Sequence, residues 1–466
     1  MFYPILNSDN AVTILMIYYF KLPQDLYFWD QDRMGSIIPL IGQIPFKLFN
    51  FSAVTSEAVT HYSILLLGFL SFSTFLKSDY LKIIFALIWF FPPIRLIDTI
   101  QLYSGVEYSL IAISCYLITL QKNLKSKNHL FFRHLILLIT TVLLIASIWV
   151  SDMALVTVFI LLSVNLFYYL KSNKLDFSIF KKLELYYISI GSIIGYSFIQ
   201  YAKSNSARRI NYTSFSDFNT IKKSCNIFFE SIFDLLKFNA NEPFVSVYLY
   251  LVFIVFGFAF FHRKNIKINE SQKKWVVFFM LDASILFIIV LVSHWTYLNG
   301  VPRRYFTCSY ISLSMFFLLL FDTAKHSNNK IRFIYPMMLF TVLIGGIGTL
   351  FNIKYIWPKT MTPKVEVVGE FKKLGKIGII SEYWNSYITS CPNPDMIKAT
   401  PHDTSWAVKN YAIVDEVFEQ ENIYVIKDMW LKQFPDTMKE FGRVLTKDGA
   451  EFRIGDCDVC KYKQTN

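Results

Sequence analysis

The chain has 466 residues, of which 54% are hydrophobic, 18% aromatic and only 17% charged, and its mean hydropathy is +0.39. Soluble domains carry about 25% charged residues, so this composition excludes an ordinary soluble enzyme and predicts a polytopic α-helical membrane protein. The net charge of +12 does not indicate a nucleic-acid partner, because the basic residues fall mostly in short segments between apolar runs.

The first 56 residues contain apolar stretches that are too short to cross a bilayer. Residues 11–20 are apolar but too few, and Pro39, Gly42 and Pro45 interrupt the next stretch. A spanning helix needs about 20 apolar residues. We therefore expect this region to form a separate segment before the first visible spanning helix.

Ten later runs are apolar enough and long enough to span a bilayer. The second run is interrupted by Pro92 and Pro93. The fourth and fifth runs are separated only by Val150, Ser151 and Asp152, which predicts a tight helical hairpin. The runs lie near residues 57–76, 83–99, 106–121, 133–150, 152–170, 185–201, 244–261, 275–293, 305–322 and 333–351.

Basic residues alternate between the connections that link these runs, which predicts the topology. The connections rich in Lys and Arg lie near residues 77–82, 122–133, 171–182, 263–274 and 325–332. The positive-inside rule places them in the cytoplasm. Both ends of the chain, and a long outer loop over residues 202–243, then face outward.

An outward N-terminus requires one spanning helix more than the sequence contains. The opening residues are neither a charged region followed by an apolar run nor a cleavable signal peptide. The simplest explanation is a missing first spanning helix before residue 7. The alternative is that residues 12–20 insert weakly and the topology is otherwise unchanged.

Residues 352–466 differ in character from the runs before them. Three stretches predict strands, "KIGIISEYW", "DMIKATPHD" and "NIYVIKDMW", the first of them running into a helix; "NYAIVDEVFEQ" and "FPDTMKEFGRVL" predict helices, and "AEFRIGDCDVCKYK" a hairpin. Alternating strands and helices predict a small α/β domain, on the outer, periplasmic side. The sequence thus divides into a transmembrane domain over residues 1–351, including a first outer loop over residues 1–56, and the α/β domain over residues 352–466.

Three cysteines, Cys391, Cys457 and Cys460, fall in the α/β domain. An oxidising compartment permits disulfides, whereas the single "CDVC" motif has no nearby pair of histidines to complete a metal site. We therefore expect one structural disulfide drawn from these three cysteines, with the pairing left open.

Ionisable residues at membrane level on the outer side are candidate functional residues, because placing them there is costly. Asp9 could act as a general base toward a hydroxyl group, or it could cap a helix N-terminus. Asp30 and Asp32 could share a divalent cation or orient a substrate. Alternatively, Arg33 is the internal partner of both.

Arg303 and Arg304 lie where a helix re-enters the membrane from outside. Arginine suits bidentate binding of phosphate, so this pair predicts a phosphate site, and contact with lipid head groups is the alternative. Glu107 and Asp152 lie at the outer ends of predicted helices, where each either lines the same cavity or caps a helix. Tyr305 is a further candidate for the cavity wall.

Five short motifs carry a resemblance to a known family: "SDNAV…LM", "FWDQDRMGSIIPLI", "PP…GVEYS", "WVSDMAL" and "PRRYF". Together they resemble the GT-C class of membrane glycosyltransferases. They are similar in particular to bacterial proteins of glycosyltransferase family 39, protein O-mannosyltransferases and lipid A aminoarabinose transferases. The resemblance covers roughly residues 7–322 and specifies the class better than the substrate.

The resemblance implies a multi-helix enzyme of the bacterial inner (plasma) membrane whose first outer loop lies on the membrane as short helices and carries a catalytic aspartate. Asp9 matches that aspartate, and the Arg303–Arg304 pair matches the region assigned to phosphate contact. The family has a spanning helix directly before its aspartate, which this sequence lacks. The α/β domain, with "SEYWNSYITS", resembles the tail of some members and is expected to add little chemistry.

The implied reaction transfers a sugar from a polyprenyl-phosphate donor to a hydroxyl of a lipid, glycan or protein acceptor on the outer face, with inversion. Asp9 would deprotonate the acceptor, and the arginine pair or a divalent cation would stabilise the departing phosphate. The alternative from another class is a transporter or flippase of lipid-linked sugars, although the sequence shows no inverted repeat. A membrane-anchored module acting through its C-terminal domain is a third interpretation, but it leaves ten helices unexplained.

Overall fold

The computed structural model describes residues 8–29, 31–123, 130–173, 183–206, 214–261, 268, 270–324, 334–356, 370–407, 409–427, 429–454 and 457–465. The chain forms two compact units. One, which we call the sheet unit, comprises Met1–His61, Tyr201–Arg209 and Ile353–Asn466; the other, the helical unit, comprises Tyr62–Gln200 and Ile210–Asn352. The first 61 residues therefore group with the C-terminal α/β domain, a feature that the sequence did not indicate.

Two short helices precede the apolar runs, α1 (Ser8–Tyr19) and α2 (Ile37–Leu48), with a 3-10 helix over Gln24–Leu26 between them. Each α-helix has 12 residues. At about 1.5 Å per residue, a helix of this length reaches about 18 Å, whereas the hydrocarbon core is about 30 Å thick. Neither helix is long enough to cross a bilayer, as expected for this region.

Every predicted apolar run coincides with a helix. The helices are α3 (Ala53–Ser73), α4 (Asp79–Phe90), α5 (Asp98–Gln101), α6 (Tyr103–Asn123), α7 (Leu130–Val150), α8 (Ala154–Asn173), α9 (Leu183–Ser204), α10 (Phe218–Leu236), α11 (Pro243–Phe261), α12 (Glu270–Val292), α13 (His294–Leu298), α14 (Thr307–Ala324) and α15 (Ile334–Ile356).

Seven of the described helical segments are both long and apolar enough to cross a membrane, and α4 with the bent continuation Ile94–Ile100 makes an eighth. Two of the predicted runs are not long and apolar enough to count as spanning helices, each for a different reason. In α9, Glu184 and Lys203 lie near the two ends and polar residues intervene, while in α15 the apolar part, Ile334–Leu350, is short. The prediction of an integral membrane protein with many spanning helices is confirmed.

Both predicted breaks in the apolar pattern are present. The segment after α4 bends by 78° at the Pro92–Pro93 pair, where proline removes the backbone donors that a continuous helix needs. Between α7 and α8 the chain turns over three residues, and the amide of Ala154 donates to the carbonyl of Ser151. The fourth and fifth runs are therefore two helices joined by a tight turn.

The helix α10 was not predicted, because residues 202–243 were interpreted as a loop. Its N-terminus has a recognisable signal, since the carboxylate of Asp217 accepts a hydrogen bond from the amide of Thr220 at 2.8 Å. Aspartate is among the preferred capping residues. Apolar residues recur along the helix at Ile221, Phe228 and Ile232, which is the spacing of one helix face.

A single mixed sheet forms the C-terminal part of the sheet unit. Its strands are β1 (Ile377–Ser381), β2 (Ile397–Pro401), β3 (Ile423–Lys427), β4 (Thr437–Glu440), β5 (Arg443–Lys447), β6 (Phe452–Ile454) and β7 (Cys457–Thr465), and its helices are α16 (Tyr383–Ser390) and α17 (Tyr411–Phe418). The order is β2-β1-β3-β7-β5-β4, with β6 paired to β7. β1 runs parallel to β2 and β3, and the remaining pairs are antiparallel.

The helix predicted for "FPDTMKEFGRVL" is wrong. This stretch forms the hairpin β4–β5, in which Glu440 pairs with Arg443. The two turn residues, Phe441 and Gly442, have φ values of 51° and 77°, and two consecutive positive φ angles define the two-residue turn that matches strand twist. The local turn therefore favours a hairpin here, although the residues on either side have the propensity to form a helix.

The predicted disulfide is also wrong, since all six cysteines are free. Cys457 and Cys460 both lie on β7. Residues three apart on a strand point to opposite faces and lie about 10 Å apart, whereas a disulfide requires Cα atoms within about 7 Å. Cys391 is buried just beyond the end of α16.

Candidate active site

Asp9, the predicted general base, lies in the first turn of α1 and is half-buried. Its Oδ1 accepts a hydrogen bond of 2.7 Å from the hydroxyl of Tyr383, the first residue of α16. Next to it, the hydroxyl of Ser8 donates to the backbone carbonyl of Tyr383 at 3.2 Å. The start of α1 is thus fastened to the start of α16 by two hydrogen bonds.

Tyr383 is a protonated donor in this pair. Its side chain is only 3% exposed. Burial raises the pKa of Tyr383 far above its ordinary value, and the nearby carboxylate of Asp9, which accepts its hydrogen bond, raises that pKa further. The hydroxyl therefore keeps its proton at neutral pH and points it at Asp9.

The alternative interpretation of Asp9, as a helix cap, finds no support in the contacts. A capping carboxylate accepts from an amide two or three residues on, as Asp217 does for α10. Within the described residues, the side chain of Asp9 accepts only from Tyr383, which leaves its Oδ2 without a protein donor. The role of general base stays a prediction.

The pair of Asp9 and Tyr383 lies at the carboxyl end of β1, because α16 follows that strand directly. From β1 the chain passes through α16 to β2 on one side and returns through α17 to β3 on the other. In open α/β sheets, ligands bind in the crevice outside the carboxyl ends of the strands where the order reverses. The α/β domain therefore contacts Asp9, the predicted base, at the carboxyl end of β1, which is where such sheets bind ligands.

In the helical unit, two arginines share one carboxylate. Arg303 begins the 3-10 helix Arg303–Phe306 and donates to Oε2 of Glu242 at 2.5 Å. Arg95, in the 3-10 helix Ile94–Leu96, contacts Oε1 of Glu242 at 2.8 Å. Two guanidinium groups and one carboxylate leave this cluster with a net positive charge.

Glu242 is the buried member of this cluster, with 10% of its side chain exposed. Burial alone would raise the pKa of Glu242, but the hydrogen bonds and charges of Arg303 and Arg95 outweigh burial and hold that pKa below its ordinary value. The carboxylate is therefore ionised at neutral pH. It holds the two guanidinium groups side by side.

An apolar cavity of about 530 Å³ adjoins this cluster, and Arg95 and Arg303 are among its lining residues. Most of the wall is aromatic or aliphatic and includes Phe228, Ile232, Tyr248, Leu249, Phe287 and Leu313. Nη1 of Arg303 is buried and has no hydrogen-bond partner within the described residues. An unpaired buried donor beside an apolar cavity suits an apolar ligand with an anionic group.

The two arginines of the predicted pair have different surroundings. Arg304 is exposed, lies 5.6 Å from the ring centre of its neighbour Tyr305, and is not among the described residues that line the cavity. Tyr305 packs against a cluster of Val290, Val301 and Phe306. Arg303 thus lines the cavity together with Arg95, and the phosphate contact predicted for Arg303 and Arg304 stays a prediction.

Arg95 and Glu242 were missed by the sequence analysis, although each carried a signal. Arg95 is a charged residue inside a run that was counted as apolar, over residues 83–99, and such residues are candidate functional sites. Glu242 lies at the end of the predicted outer loop, immediately before α11. Nothing in the local sequence links it to Arg303, 61 residues away.

The sequence of this chain matches no protein family model, and no curated protein matches it. Solved structures do match. ArnT from Cupriavidus metallidurans bound to undecaprenyl phosphate is 8% identical and superimposes with a TM-score of 0.55 over 97% of this chain and 93% of ArnT. The same protein in the apo state gives 7% identity and a TM-score of 0.55 over 97% and 92%.

This chain has a GT-C fold. The fold class implied by the motifs is thereby confirmed, including the C-terminal domain, because the match extends over nearly the whole chain. An oligosaccharyltransferase from Archaeoglobus fulgidus also matches, at 11% identity and a TM-score of 0.39 over 89% of this chain and 63% of that one. That similarity is too low to support an argument.

Two further candidate functional residues, Glu107 and Asp152, are not part of the arginine cluster. Glu107, on α6, is 1% exposed, and the thiol of Cys308 lies 3.9 Å from its Oε2. Asp152 is half-buried in the turn between α7 and α8. Within the described residues, neither side chain lines the cavity.

A buried polar cluster within the helical unit was not predicted from the sequence. Asp282, on α12, accepts hydrogen bonds from the hydroxyls of Tyr108 at 2.6 Å and Ser312 at 2.5 Å. These bonds join α6, α12 and α14. An acidic residue inside an apolar run signals such a cluster.

The predicted cation site falls partly outside the described residues, because Asp30 lies outside them. Asp32 and Arg33 lie in the loop after Trp29, where Nε of Arg33 donates to the side chain of Gln31 at 3.3 Å. Among the described residues, no group of three or more His, Cys, Asp or Glu side chains could hold a metal ion. A divalent cation stays a prediction.

The low pKa of Glu242 predicts a pH-dependent contribution to stability. Because the folded pKa lies below the ordinary value of 4.5, ionised Glu242 stabilises the fold above that pH, and this contribution is lost as the pH falls through the lower folded value. At pH 7, Glu242→Gln should cost about 1.5–3 kcal/mol, the usual worth of a hydrogen bond to a charged group. The measurement is thermal unfolding in detergent between pH 7 and pH 3.

The difference in Tm between the wild type and Glu242→Gln should shrink as the pH is lowered. Glu230→Gln, which changes an exposed carboxylate on α10, is the matched control and should show no such trend. A Tm difference for Glu242→Gln that is independent of pH would contradict the shared ion pair.

Proposed function

We propose that this protein is a membrane glycosyltransferase that moves a sugar from a polyprenyl-phosphate donor to a hydroxyl group on the outer face of the membrane. The observation that carries the proposal is the apolar cavity with two arginines in its wall, in a chain that shares its fold with ArnT. The ArnT structure contains undecaprenyl phosphate. A polyprenyl phosphate combines the two features that the cavity matches, an apolar chain and an anionic head.

The donor phosphate is assigned to Arg303 and Arg95. Arginine offers a planar fork of donors that fits phosphate oxygens, and Nη1 of Arg303 is a buried donor without a described partner. Glu242 contacts both guanidinium groups, so they are held in place before the donor arrives. Groups that need no reorganisation stabilise charge most effectively.

Asp9 is the proposed general base. Its Oδ2 accepts the proton of the acceptor hydroxyl while the acceptor oxygen forms a bond to the anomeric carbon of the sugar. The bond between that carbon and the phosphate oxygen breaks, and its electron pair leaves with the polyprenyl phosphate. Attack from the face opposite the phosphate inverts the anomeric configuration.

The acceptor is a hydroxyl of a lipid, a glycan or a protein. The reaction takes place at the outer face of the bacterial inner membrane, with the α/β domain in the periplasm, because the basic connections between the apolar runs are assigned to the cytoplasm. A donor of this kind carries its own activated sugar, so the reaction requires no nucleotide.

The arginine assignment predicts that Arg303→Ala and Arg95→Ala each weaken donor binding. The loss should be about 1.5–3 kcal/mol, the worth of a charge-assisted hydrogen bond, and Lys at either position should restore it only in part because it lacks the fork. Donor affinity is measured by titration of a polyprenyl-phosphate sugar into the detergent-solubilised full-length protein.

Arg304→Ala is the matched control, since the structure places this exposed side chain outside the described cavity lining. Removing one arginine also leaves Glu242 with one partner fewer, so the double variant Arg303→Ala/Glu242→Gln separates lost binding from lost folding. Wild-type affinity in both Arg303→Ala and Arg95→Ala would place the phosphate elsewhere.

For Asp9, the decisive variant is Asp9→Asn. It keeps the shape of the side chain and still accepts from Tyr383, but it cannot take a proton. It should fold and bind the donor, and transfer should fall by about 100–10,000-fold, the usual contribution of a general base. The measurement is the rate of sugar transfer to acceptor at saturating donor.

Asp395→Asn is the control for this variant, because Asp395 also accepts a hydrogen bond from a tyrosine of α1, Tyr18, but has no proposed chemical role. Its transfer rate should match the wild type. Normal transfer by Asp9→Asn would remove Asp9 from the mechanism.

A further inference from the structure

The hydrogen bond between Tyr383 and Asp9 joins residues that are 374 positions apart in the chain. Tyr383 belongs to the C-terminal α/β domain, which was predicted from the sequence to add little chemistry. Its backbone carbonyl accepts hydrogen bonds from the hydroxyls of both Ser8 and Ser386, each at 3.2 Å. The residue that contacts the proposed base is therefore fixed at its main chain as well as at its hydroxyl.

The ring of Tyr383 is held by aromatic packing. It lies edge-on to Tyr387, with 6.1 Å between ring centres, and tilted against Trp406, with 6.0 Å between ring centres. A buried ring packed on two sides has little rotational freedom. The position of its hydroxyl is consequently set by the α/β domain and not by Asp9.

The far end of α1 is fastened to the same domain. The hydroxyl of Tyr19 donates to Oε2 of Glu416 at 2.7 Å, and the ammonium group of Lys398 contacts that same oxygen at 2.8 Å. The helix that carries Asp9 is thus held at both ends, by Tyr383 at its start and by Glu416 at its close.

We propose that Tyr383 is a positioning residue for Asp9, so that the C-terminal α/β domain completes the catalytic site. Its hydroxyl holds Oδ1 and thereby turns Oδ2 toward the acceptor hydroxyl. This inference rests on the proposed function, because it requires Asp9 to be the base. A carboxylate held by one oxygen takes up the proton on the other.

Few charged groups act on this pair. Asp9 is the single charged residue of α1, α16 has none, and Lys47, in the last turn of α2, is the single one of that neighbouring helix. Within the described residues, Glu382 and Tyr387 are the other titratable groups that act on Tyr383, and both raise its pKa. Within the described residues, the hydrogen bond from Tyr383 is the side-chain contact of the Asp9 carboxylate.

Tyr383→Phe tests the proposal in the full-length protein. It should lower kcat for transfer by about 10–100-fold, as expected when a catalytic group loses its orientation, and leave KM for the donor unchanged. A fall in kcat without a change in KM separates lost positioning of the base from lost donor binding.

Tyr19→Phe is the matched control, because it removes the equivalent tyrosine–carboxylate bond at the other end of α1. It should lower Tm about as much as Tyr383→Phe while leaving kcat unchanged. Tyr383→3-fluorotyrosine keeps the size of the ring and changes the strength of the donated hydrogen bond, so it should change kcat while Tm stays at the wild-type value. This second variant decides the matter even where Tyr383→Phe folds poorly.

Failure of this inference can be distinguished from failure of the proposed function. If Asp9→Asn abolishes transfer while Tyr383→Phe keeps the wild-type kcat, Tyr383 has no positioning role and Asp9 remains the base. If Asp9→Asn transfers normally, the base itself is misassigned. In the Asp9→Asn background, Tyr383→Phe should cause no further loss, since residues that act as a unit are not additive.

Discussion

A carboxylate withdrawn from water is stable only when other groups satisfy it, and this constraint organises two separate clusters of candidate residues. In the helical unit, Glu242 is tolerated because two guanidinium groups neutralise it, and the same contacts hold Arg95 and Arg303 beside an apolar cavity. In the sheet unit, Asp9 is held by the hydroxyl of Tyr383. Glu242 thus holds its two arginines, and Tyr383 holds Asp9, before any substrate is bound.

Much of the fold was predictable from hydropathy, because a bilayer forces a spanning chain to satisfy its backbone within each helix. The break at Pro92–Pro93 and the hairpin at Asp152 followed from local chemistry, as did β1, β2 and β3. The stretch that became β4 and β5 was misjudged because the turn at Phe441–Gly442 needs two positive φ angles. The disulfide prediction was wrong because the spacing of cysteines along the chain did not show that Cys457 and Cys460 lie on one strand and point to opposite faces.

The candidate site was predictable only in part. Asp9 and Arg303 could be chosen from residue type and position, since polar groups near a membrane are costly and few. Their partners could not, because Tyr383 and Glu242 come close only through folding, 374 and 61 residues away respectively. Adjacency in the sequence did not show that Arg303, and not Arg304, is among the described residues that line the cavity.

The central claim is that the chain transfers a sugar and does not merely move a lipid-linked sugar across the membrane. The most direct measurement is mass spectrometry of the lipid after full-length protein in vesicles meets a polyprenyl-phosphate sugar and a hydroxyl acceptor. The account predicts acceptor-dependent release of free polyprenyl phosphate, with the sugar on the acceptor in the inverted configuration. Intact donor that crosses the bilayer, with no polyprenyl phosphate released, would contradict it.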